Sequence, residues 1–381
     1  MQPRRPGRAI PALAGLLLIV LVVGIGAVAL NSPSPTATPS PSASPSPTET
    51  ASPSPSASPS PTPTPAPTVA AVTCPMNGEP LADPALAQRP AILVQIENNP
   101  IARPPSGLNY ADLVIEAPVE GDTTRFMAVF LCRDPLGVDV GPVRSLRLFN
   151  PDLFQQLRAV TFAFGAATWT LDAMNAAGVP YVNGLTGGWP FFYRGGPWGA
   201  PHNVFFDVDG ARAELQGGGL THLAETAGAP RGPFAFDPTV VPPAGRPVAT
   251  IGLQTASFWR FGWEWDAASG LWLRTDAGAP NSDGLTGERI QARSVVVQRV
   301  EQEVLQGQTD PGGFPSRRQF LTGEGTGVLF VDGQAHDVRW SRPGPDDLTT
   351  WTYALTGEPM VLPPGRVWWE IIPVESAITE G

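Results

Sequence analysis

Three apolar stretches, AILVQIE at 91–97, ADLVIEA at 111–117 and RFMAVFL at 125–131, follow one another closely in this 381-residue chain. Each is short, rich in β-branched and aromatic residues, and apolar at consecutive positions instead of alternate ones. That pattern is typical of strands covered on both faces of a sheet. The segment therefore predicts the centre of a buried sheet, to which VTFAF at 160–164 adds a further strand.

Helical spacing of apolar residues lies between and after these strands, in PDLFQQLR at 151–158, TWTLDAMNAAG at 168–178 and DVDGARAELQ at 207–216. Each stretch begins near an Asp, Asn or Thr, the residue types that cap helix N-termini. Strands interspersed with helices are typical of an α/β domain, which we place at residues 73–237.

Alternation of apolar and polar residues replaces this pattern after the proline-rich segment PTVVPPAGRP at 238–247. Strands of this kind are predicted in SFWRFGWEWD (257–266), LWLRT (271–275), RSVVVQRV (293–300), GVLFV (327–331) and RVWWEIIP (366–373). Asp332-Gly333 predicts a two-residue hairpin turn, because both residues tolerate positive φ. We therefore predict a mainly antiparallel β domain at 248–376 and an α+β fold for the whole chain.

The region before residue 73 predicts how the folded part is attached. An apolar run at 9–30 follows three arginines and is about 33 Å long as a helix, enough to cross a bilayer. Arginines on its N-terminal side alone place the N-terminus in the cytoplasm. We predict a cytoplasmic stub and transmembrane anchor at 1–30; the alternative is a cleavable signal peptide, since AVA at 27–29 fits a peptidase site. Both alternatives export the rest of the chain, so we predict a single-pass protein of the cell membrane with an extracytoplasmic head.

Residues 31–72 consist mostly of Pro, Ser and Thr and contain no aromatic residue. Such a segment buries too little apolar surface to offset its chain entropy. It predicts a disordered stalk that holds the folded part away from the membrane.

Charge excludes several classes of function. The formal net charge is -10, which disfavours nucleic acid as a partner. The chain contains no lysine, and so lacks P-loop and Schiff-base chemistry. His202, His222 and His336 show no metal-ligand spacing, and we predict neither a metal nor a cofactor.

Cys74 and Cys132 are the two cysteines of the chain. In an exported protein a pair of cysteines predicts one disulfide, and neither cysteine has the clustered Cys or His that a zinc site requires.

Two long segments resemble a known family. PAILVQIENNPIARPPSGLNYADLVIEAPVEGDTTRFMAVF (90–130), GPVRSLRLF (141–149) and APHNVFF (200–206) resemble the YerB-like bacterial envelope lipoproteins, domain-of-unknown-function family 3048. QARSVVVQ (291–298) and GVLFVDGQAHDVRW (327–340) are similar to the second domain of that family. The resemblance implies an exported, membrane-attached, two-domain protein whose biochemical activity is not established.

Polar residues that interrupt apolar strands are the candidates for chemistry. They are Glu116, Glu120, Arg125, Arg144, Ser145, Arg147, His202 and Asn203, with Glu97, Asn98 and Arg103 as neighbours. A guanidinium matches a carboxylate or phosphate in two parallel hydrogen bonds. A loop histidine after a proline can serve as acid, base or donor. These residues predict a polar pocket at strand ends that binds an anionic or sugar-like ligand.

Alternatives remain at this point. The same charges could form internal Glu-Arg bridges that hold loops together. The tryptophan-rich stretch at 259–272 could stack on sugar rings, although alternating aromatics in a β domain are usually core. We predict an envelope binding or scaffolding protein whose partner is a cell-wall polymer or an envelope protein, with a hydrolase of glycans or phosphoesters as the alternative; the sequence leaves open whether the protein is an enzyme.

Overall fold

The apolar stretches at 91–97, 111–117 and 125–131 form three neighbouring strands in a computed structural model of the chain, which describes residues 71–133, 137, 139–255 and 260–381. The strands are β1 (Ala91–Glu97), β2 (Leu113–Pro118), β3 (Thr124–Phe130), β4 (Asp139–Val140), β5 (Ala159–Ala163), β6 (Tyr181–Asn183), β7 (Phe192–Arg194), β8 (Val204–Asp207), β9 (Ala235–Phe236), β10 (Arg246–Pro247), β11 (Thr250–Gln254), β12 (Arg260–Asp266), β13 (Leu271–Asp276), β14 (Ala279–Pro280), β15 (Gln291–Ala292), β16 (Ser294–Val300), β17 (Gln302–Thr309), β18 (Pro315–Gln319), β19 (Gly323–Val331), β20 (Gln334–Arg342), β21 (Thr350–Tyr353), β22 (Val361–Leu362), β23 (Val367–Pro373) and β24 (Ala377–Glu380). The helices are α1 (Asn150–Leu157), α2 (Thr168–Ala176), α3 (Gly184–Gly187), α4 (Val208–Gly217) and α5 (Thr221–Ala227), with short 3-10 turns at Pro84–Gln88, Pro100–Ala102, Leu108–Tyr110 and Glu120–Asp122.

One eleven-stranded sheet contains strands from both halves of the chain. Its order is β10-β20-β19-β16-β23-β2-β3-β1-β5-β6, with β21 attached to β20. The junction is parallel pairing of β2 with β23, in which Leu113 lies opposite Val367 and Glu116 opposite Glu370. The proline-rich segment at 238–247 was predicted to separate two domains. Strands from both sides of this segment belong to the same sheet. The domain boundaries themselves stay a prediction.

The described part of the chain is mostly β with few helices. In the first half, β1, β5 and β6 pair in parallel, and α1 and α2 lie between them in the sequence, near the positions predicted for helices. β3 pairs antiparallel with both β1 and β2. In the second half pairing is mainly antiparallel, except that β23 runs parallel to β16 and β2, and β22 runs parallel to β9.

Both faces of the central sheet are covered, as the uninterrupted apolar runs predict. All seven residues of β1 are buried. Ile92 and Val94 pack into the apolar cluster on one face, and Leu93 packs into the cluster on the other. Trp263 and Trp272 are fully buried, so these residues of the tryptophan-rich stretch belong to the core and not to an exposed sugar-binding face.

The Cys74–Cys132 disulfide is present, with an S–S distance of 2.08 Å. It joins the start of the described chain to the end of β3. The buried carboxylate of Asp112 accepts the backbone N–H groups of Leu131 and Cys132 beside it. Within the residues described, Cys74, Asp112 and Cys132 form the group of three with metal-ligand spacing, and its two sulfurs are bonded to each other.

The predicted anchor at 1–30 and all but the last two residues of the predicted stalk at 31–72 lie outside the described residues. In the part of the chain that the structure describes, no helix has the length and apolar character needed to span a membrane.

Candidate functional site

A polar cluster occupies the carboxyl end of β1, where the central sheet opens. β1 and β5 are paired from residue 91 to 94, and then the segment at 142–146 enters between them. Arg144 N–H donates to Gln95 O at 2.9 Å, and Phe164 N–H donates to Arg144 O at 3.0 Å. The carboxyl ends of parallel strands that separate in this way are where α/β sheets commonly bind ligands.

Arg125 lies at the base of the cluster, opposite Glu97 in the pairing of β3 with β1. Its side chain is buried, and among the described residues its Nε and Nη1 atoms have no hydrogen-bond partner. Burial lowers the pKa of this guanidinium well below its ordinary value, and the charges of Arg147 and Arg144 lower it further. Because a buried donor without a partner is costly, Arg125 is suited to an oxyanion that enters the cluster.

Arg144 and Arg147 form the more exposed side of the cluster. Arg144 Nε lies 3.5 Å from Glu97 Oε1, and its Nη1 donates to Pro201 O at 3.1 Å. Burial lowers the pKa of Arg144, Glu97 raises it, and Arg147 lowers it. Arg147 Nε lies 2.6 Å from Glu120 Oε2. These two ion pairs are the internal Glu-Arg bridges considered in the sequence analysis, whereas Arg125 forms no such bridge with any residue that the structure describes.

His202 reaches the cluster from the loop between β7 and β8. Its Nδ1 lies 3.0 Å from both carboxylate oxygens of Glu97. A carboxylate on Nδ1 fixes the ring and favours the tautomer with a proton on that nitrogen. In a neutral ring with its proton on Nδ1, Nε2 is an acceptor that can bind a proton from a ligand.

Comparisons with known proteins agree with the architecture. Residues 76–221 match the family described as "Protein of unknown function (DUF3048) N-terminal domain", and residues 250–369 match its C-terminal domain. The chain belongs to the DUF3048 family. A Bacillus subtilis (strain 168) protein described as "Putative lipoprotein YerB" is 25% identical over 309 residues, which cover 80% of this chain and 88% of that protein. The crystal structure of YerB protein from Bacillus subtilis has a TM-score of 0.66 at 23% identity, covering 81% of this chain and 99% of that one, so the two chains share a fold.

The predicted site residues of this DUF3048 protein do not all meet. Glu120, Arg144 and Arg147 lie around Arg125 together with Glu97, and His202 joins this group through its contact with Glu97. Ser145 and Asn203 lie at the border of the cluster: Ser145 Oγ is 3.5 Å from Phe164 O, and Asn203 Oδ1 accepts from Arg194 at 2.7 Å.

Glu116 faces the other side of the sheet and belongs to a separate buried group. Arg274 Nη2 donates to both of its carboxylate oxygens at 2.8 Å, and neither side chain is exposed. Thr124 Oγ1 and Asn98 Nδ2 also donate to Glu116. This carboxylate is fully partnered, and it is too well enclosed to belong to the open cluster.

Three residues of the cluster around Arg125 were not predicted from the sequence. Gln95 is fully buried next to the cluster on β1, and both its amide atoms lack hydrogen-bond partners in the described chain. A glutamine within the apolar strand AILVQIE is a sequence signal that could have identified Gln95 as a site residue. Ser316 Oγ donates to Glu120 Oε1 at 3.1 Å, and Asp310 raises the pKa of Arg144 through its charge. Both come from the β17–β18 hairpin, about 190 positions after Arg125, and no local pattern connects them with the site.

Proposed function

We propose that this protein is an extracytoplasmic binding protein of the bacterial cell envelope, and that the cluster around Arg125 binds the anionic group of its ligand. The observation that carries the proposal is the Arg125 guanidinium, which is buried beside two further arginines with Nε and Nη1 free of hydrogen bonds from the described residues. Arg125, Arg144 and Arg147 share the cluster with the carboxylates of Glu97 and Glu120, and Asp310 adds a third negative charge near Arg144. The unpartnered N–H groups of Arg125, and not an excess of positive charge, therefore favour an anion. An oxyanion with several acceptor atoms, such as a phosphate, complements that arrangement.

Attachment to the membrane through residues 9–30 belongs to the same proposal. It is supported by the apolar run that follows three arginines and by the lipoprotein description of the Bacillus subtilis relative. A wall polymer or an envelope protein is the partner that this placement favours.

The experiment measures binding of inorganic phosphate to the full chain in detergent micelles by isothermal titration calorimetry. Arg125→Met keeps much of the side-chain volume and removes the charge. We expect it to weaken phosphate binding by about tenfold or more, the loss of a charge-assisted hydrogen bond, while thermal stability is unchanged or higher. Arg144→Ala is expected to weaken binding to a similar degree.

Arg246→Ala is the matched control. Arg246 is exposed, pairs with Asp337 and Glu380, and lies in β10, seven strands from β1 and so about 33 Å away across the sheet. We expect it to leave phosphate affinity unchanged. If Arg125→Met binds phosphate like the unaltered protein, or if it unfolds the protein because the arginine is a structural partner, the proposed site is wrong.

A phosphoester hydrolase is the second candidate function, and the contact between His202 and Glu97 favours it. A carboxylate on Nδ1 prepares Nε2 to act as a general base. p-Nitrophenyl phosphate distinguishes the two candidates: a hydrolase releases p-nitrophenol in a reaction that His202→Gln abolishes, whereas a binding protein releases none at any protein concentration.

A further inference from the structure

Three aromatic side chains beside the arginine cluster form a surface that we call the aromatic platform: Tyr193, Trp198 and Phe205. The Tyr193 and Phe205 rings are 6.1 Å apart at 25°, and those of Trp198 and Phe205 are 6.3 Å apart at 20°. Tyr193 is 39% exposed, and the other two are partly exposed. Near-parallel rings at the surface differ from core aromatics, which are enclosed on every side.

These rings lie on the face of their sheet that points away from the apolar core. Tyr193 and Phe205 are paired across β7 and β8, and the adjacent pair, Phe192 with Phe206, faces the apolar core instead. Successive side chains of a strand point to opposite faces. The aromatic platform therefore occupies the side of this small sheet that faces away from the apolar core. Clustered apolar groups that remain exposed mark a binding surface.

The aromatic platform is held in a fixed arrangement. Burial, and then the side chain of Asp139 on β4, raises the pKa of the Tyr193 hydroxyl above its ordinary value. Gly196 lies against the rings so closely that a Cβ there would be 2.9 Å from Phe205 and 3.1 Å from Trp198. Glycine at this position allows the loop to approach the rings. A surface ordered in advance binds with a smaller entropic cost.

One loop carries both the aromatic platform and part of the arginine cluster. His202 N–H donates to Gly199 O at 2.9 Å, which closes a turn, and Arg144 donates to Pro201 O. The Cα atoms at the ends of such a turn are less than about 7 Å apart, so the Cα of Trp198 lies within about 11 Å of the Cα of His202. A single ligand of sugar size with a charged substituent can contact both.

We propose that the ligand is an anionic saccharide, whose ring packs on the aromatic platform while its phosphate or carboxylate group pairs with Arg125 and Arg144. This inference rests on the proposed anion site and adds the chemical class of what carries the anion. The C–H face of a pyranose is apolar and packs on an aromatic ring, and its hydroxyls stay in water. The unpartnered N–H groups of Arg125 favour an acidic sugar, whose anionic group accepts them, over a neutral one.

The test compares four probes on the full chain by calorimetry: inorganic phosphate, glucose 6-phosphate, glucuronate and glucose. We expect at least one acidic sugar to bind about tenfold tighter than inorganic phosphate, a difference of about 1.4 kcal/mol. If glucose 6-phosphate binds tighter than glucuronate, the anionic group is a phosphate; if glucuronate binds tighter, it is a carboxylate. Trp198→Ala should lower the affinity for the acidic sugar to that for inorganic phosphate. It should leave the affinity for inorganic phosphate within about twofold of the original value.

Trp265→Ala is the matched control, because Trp265 is also a partly buried tryptophan but lies in β12, outside the sheet formed by β4, β7 and β8. It should not alter the advantage of the sugar. Equal affinities for inorganic phosphate and both acidic sugars would show that the sugar ring makes no contact, and would overturn the saccharide proposal while leaving the anion site in place. Glucose binding as tight as that of either acidic sugar would overturn the role of the arginines. Failure of all four probes to bind would overturn the anion site itself.

Discussion

At the residue scale, the group around Glu116 imposes a clear dependence on pH. Arg274 serves two buried carboxylates, Glu116 and Glu370, and Trp263 Nε1 donates to Glu370 at 3.1 Å. Burial, and then the charge of Glu116, raises the pKa of Glu370 well above its ordinary value. Glu370 therefore binds a proton more readily in the folded protein than in the unfolded chain.

We predict that Glu370→Gln stabilises the protein at neutral and alkaline pH. The folded state holds a proton that the unfolded chain releases, so the stabilisation from Glu370 is complete below its unfolded pKa and is lost as the pH rises through its folded pKa. Glutamine resembles the protonated acid and has no proton to lose. Thermal denaturation should show a melting temperature a few degrees above that of the unaltered protein at pH 8, and the difference should vanish near pH 4.

Glu375→Gln is the control for this prediction, because Glu375 is exposed just after β23. It should leave the pH profile of the melting temperature unaltered. A Glu370→Gln variant that melts below the unaltered protein at pH 8 would show that Glu370 is ionised in the folded state.

The residues of the site could be predicted only where their signal was local. Arg125 stands out because it precedes an apolar run, and the β alternation places it on the same face as Glu97. Glu116 is a site candidate in the sequence because it interrupts an apolar strand, but it pairs with Phe126, one position from Arg125, and so lies on the opposite face. Its partner Arg274 follows 158 positions later, and no pattern in a single sequence indicates that contact.

At the element scale, the turn between β19 and β20 follows directly from its sequence. Asp332 and Gly333 have φ values of 52° and 69°, as the predicted two-residue hairpin requires. The strands themselves were also predictable, since β1, β3 and β23 coincide with apolar runs. Their neighbours were not, because pairing of β2 with β23 depends on contacts between distant parts of the chain.

We predict that Gly333→Ala lowers the free energy of unfolding more than Gly357→Ala does. Both glycines have positive φ, which costs an alanine about 1–2 kcal/mol. A Cβ at Gly333 would also lie 2.8 Å from Nε1 of Trp265, whereas at Gly357 it would meet no atom within 4 Å. Urea denaturation of both variants measures the difference, and equal losses would mean that Trp265 moves aside freely.

At the scale of the whole molecule, a change of sequence pattern did not mean a break in the structure. The pattern of apolar residues changes after 238–247, and the family also divides there into two matched regions, 76–221 and 250–369. The central sheet nevertheless runs through both regions. Periodicity reports which face of each strand is buried, and it carries no information on which strand lies alongside.

We predict that replacing both Cys74 and Cys132 by serine lowers the free energy of unfolding by roughly 4 kcal/mol, the chain-entropy value for cysteines 58 positions apart. Urea denaturation measures the loss. Reduction of the unaltered protein with dithiothreitol is the control and should produce a similar loss without any substitution. Unchanged urea midpoints in both experiments would show that the disulfide does not stabilise the protein by reducing the conformational entropy of the unfolded chain.

The position of β23 also determines when the central sheet can be completed. β23 is the last of the eleven strands of its sheet in chain order, yet it lies between β2 and β16. During translation, β2 and β16 must therefore wait with unpaired backbone groups until residues 367–373 have been synthesised. Open strand edges of this kind invite aggregation. The half-formed sheet is therefore exposed to aggregation from the synthesis of β2 until residues 367–373 are available to pair.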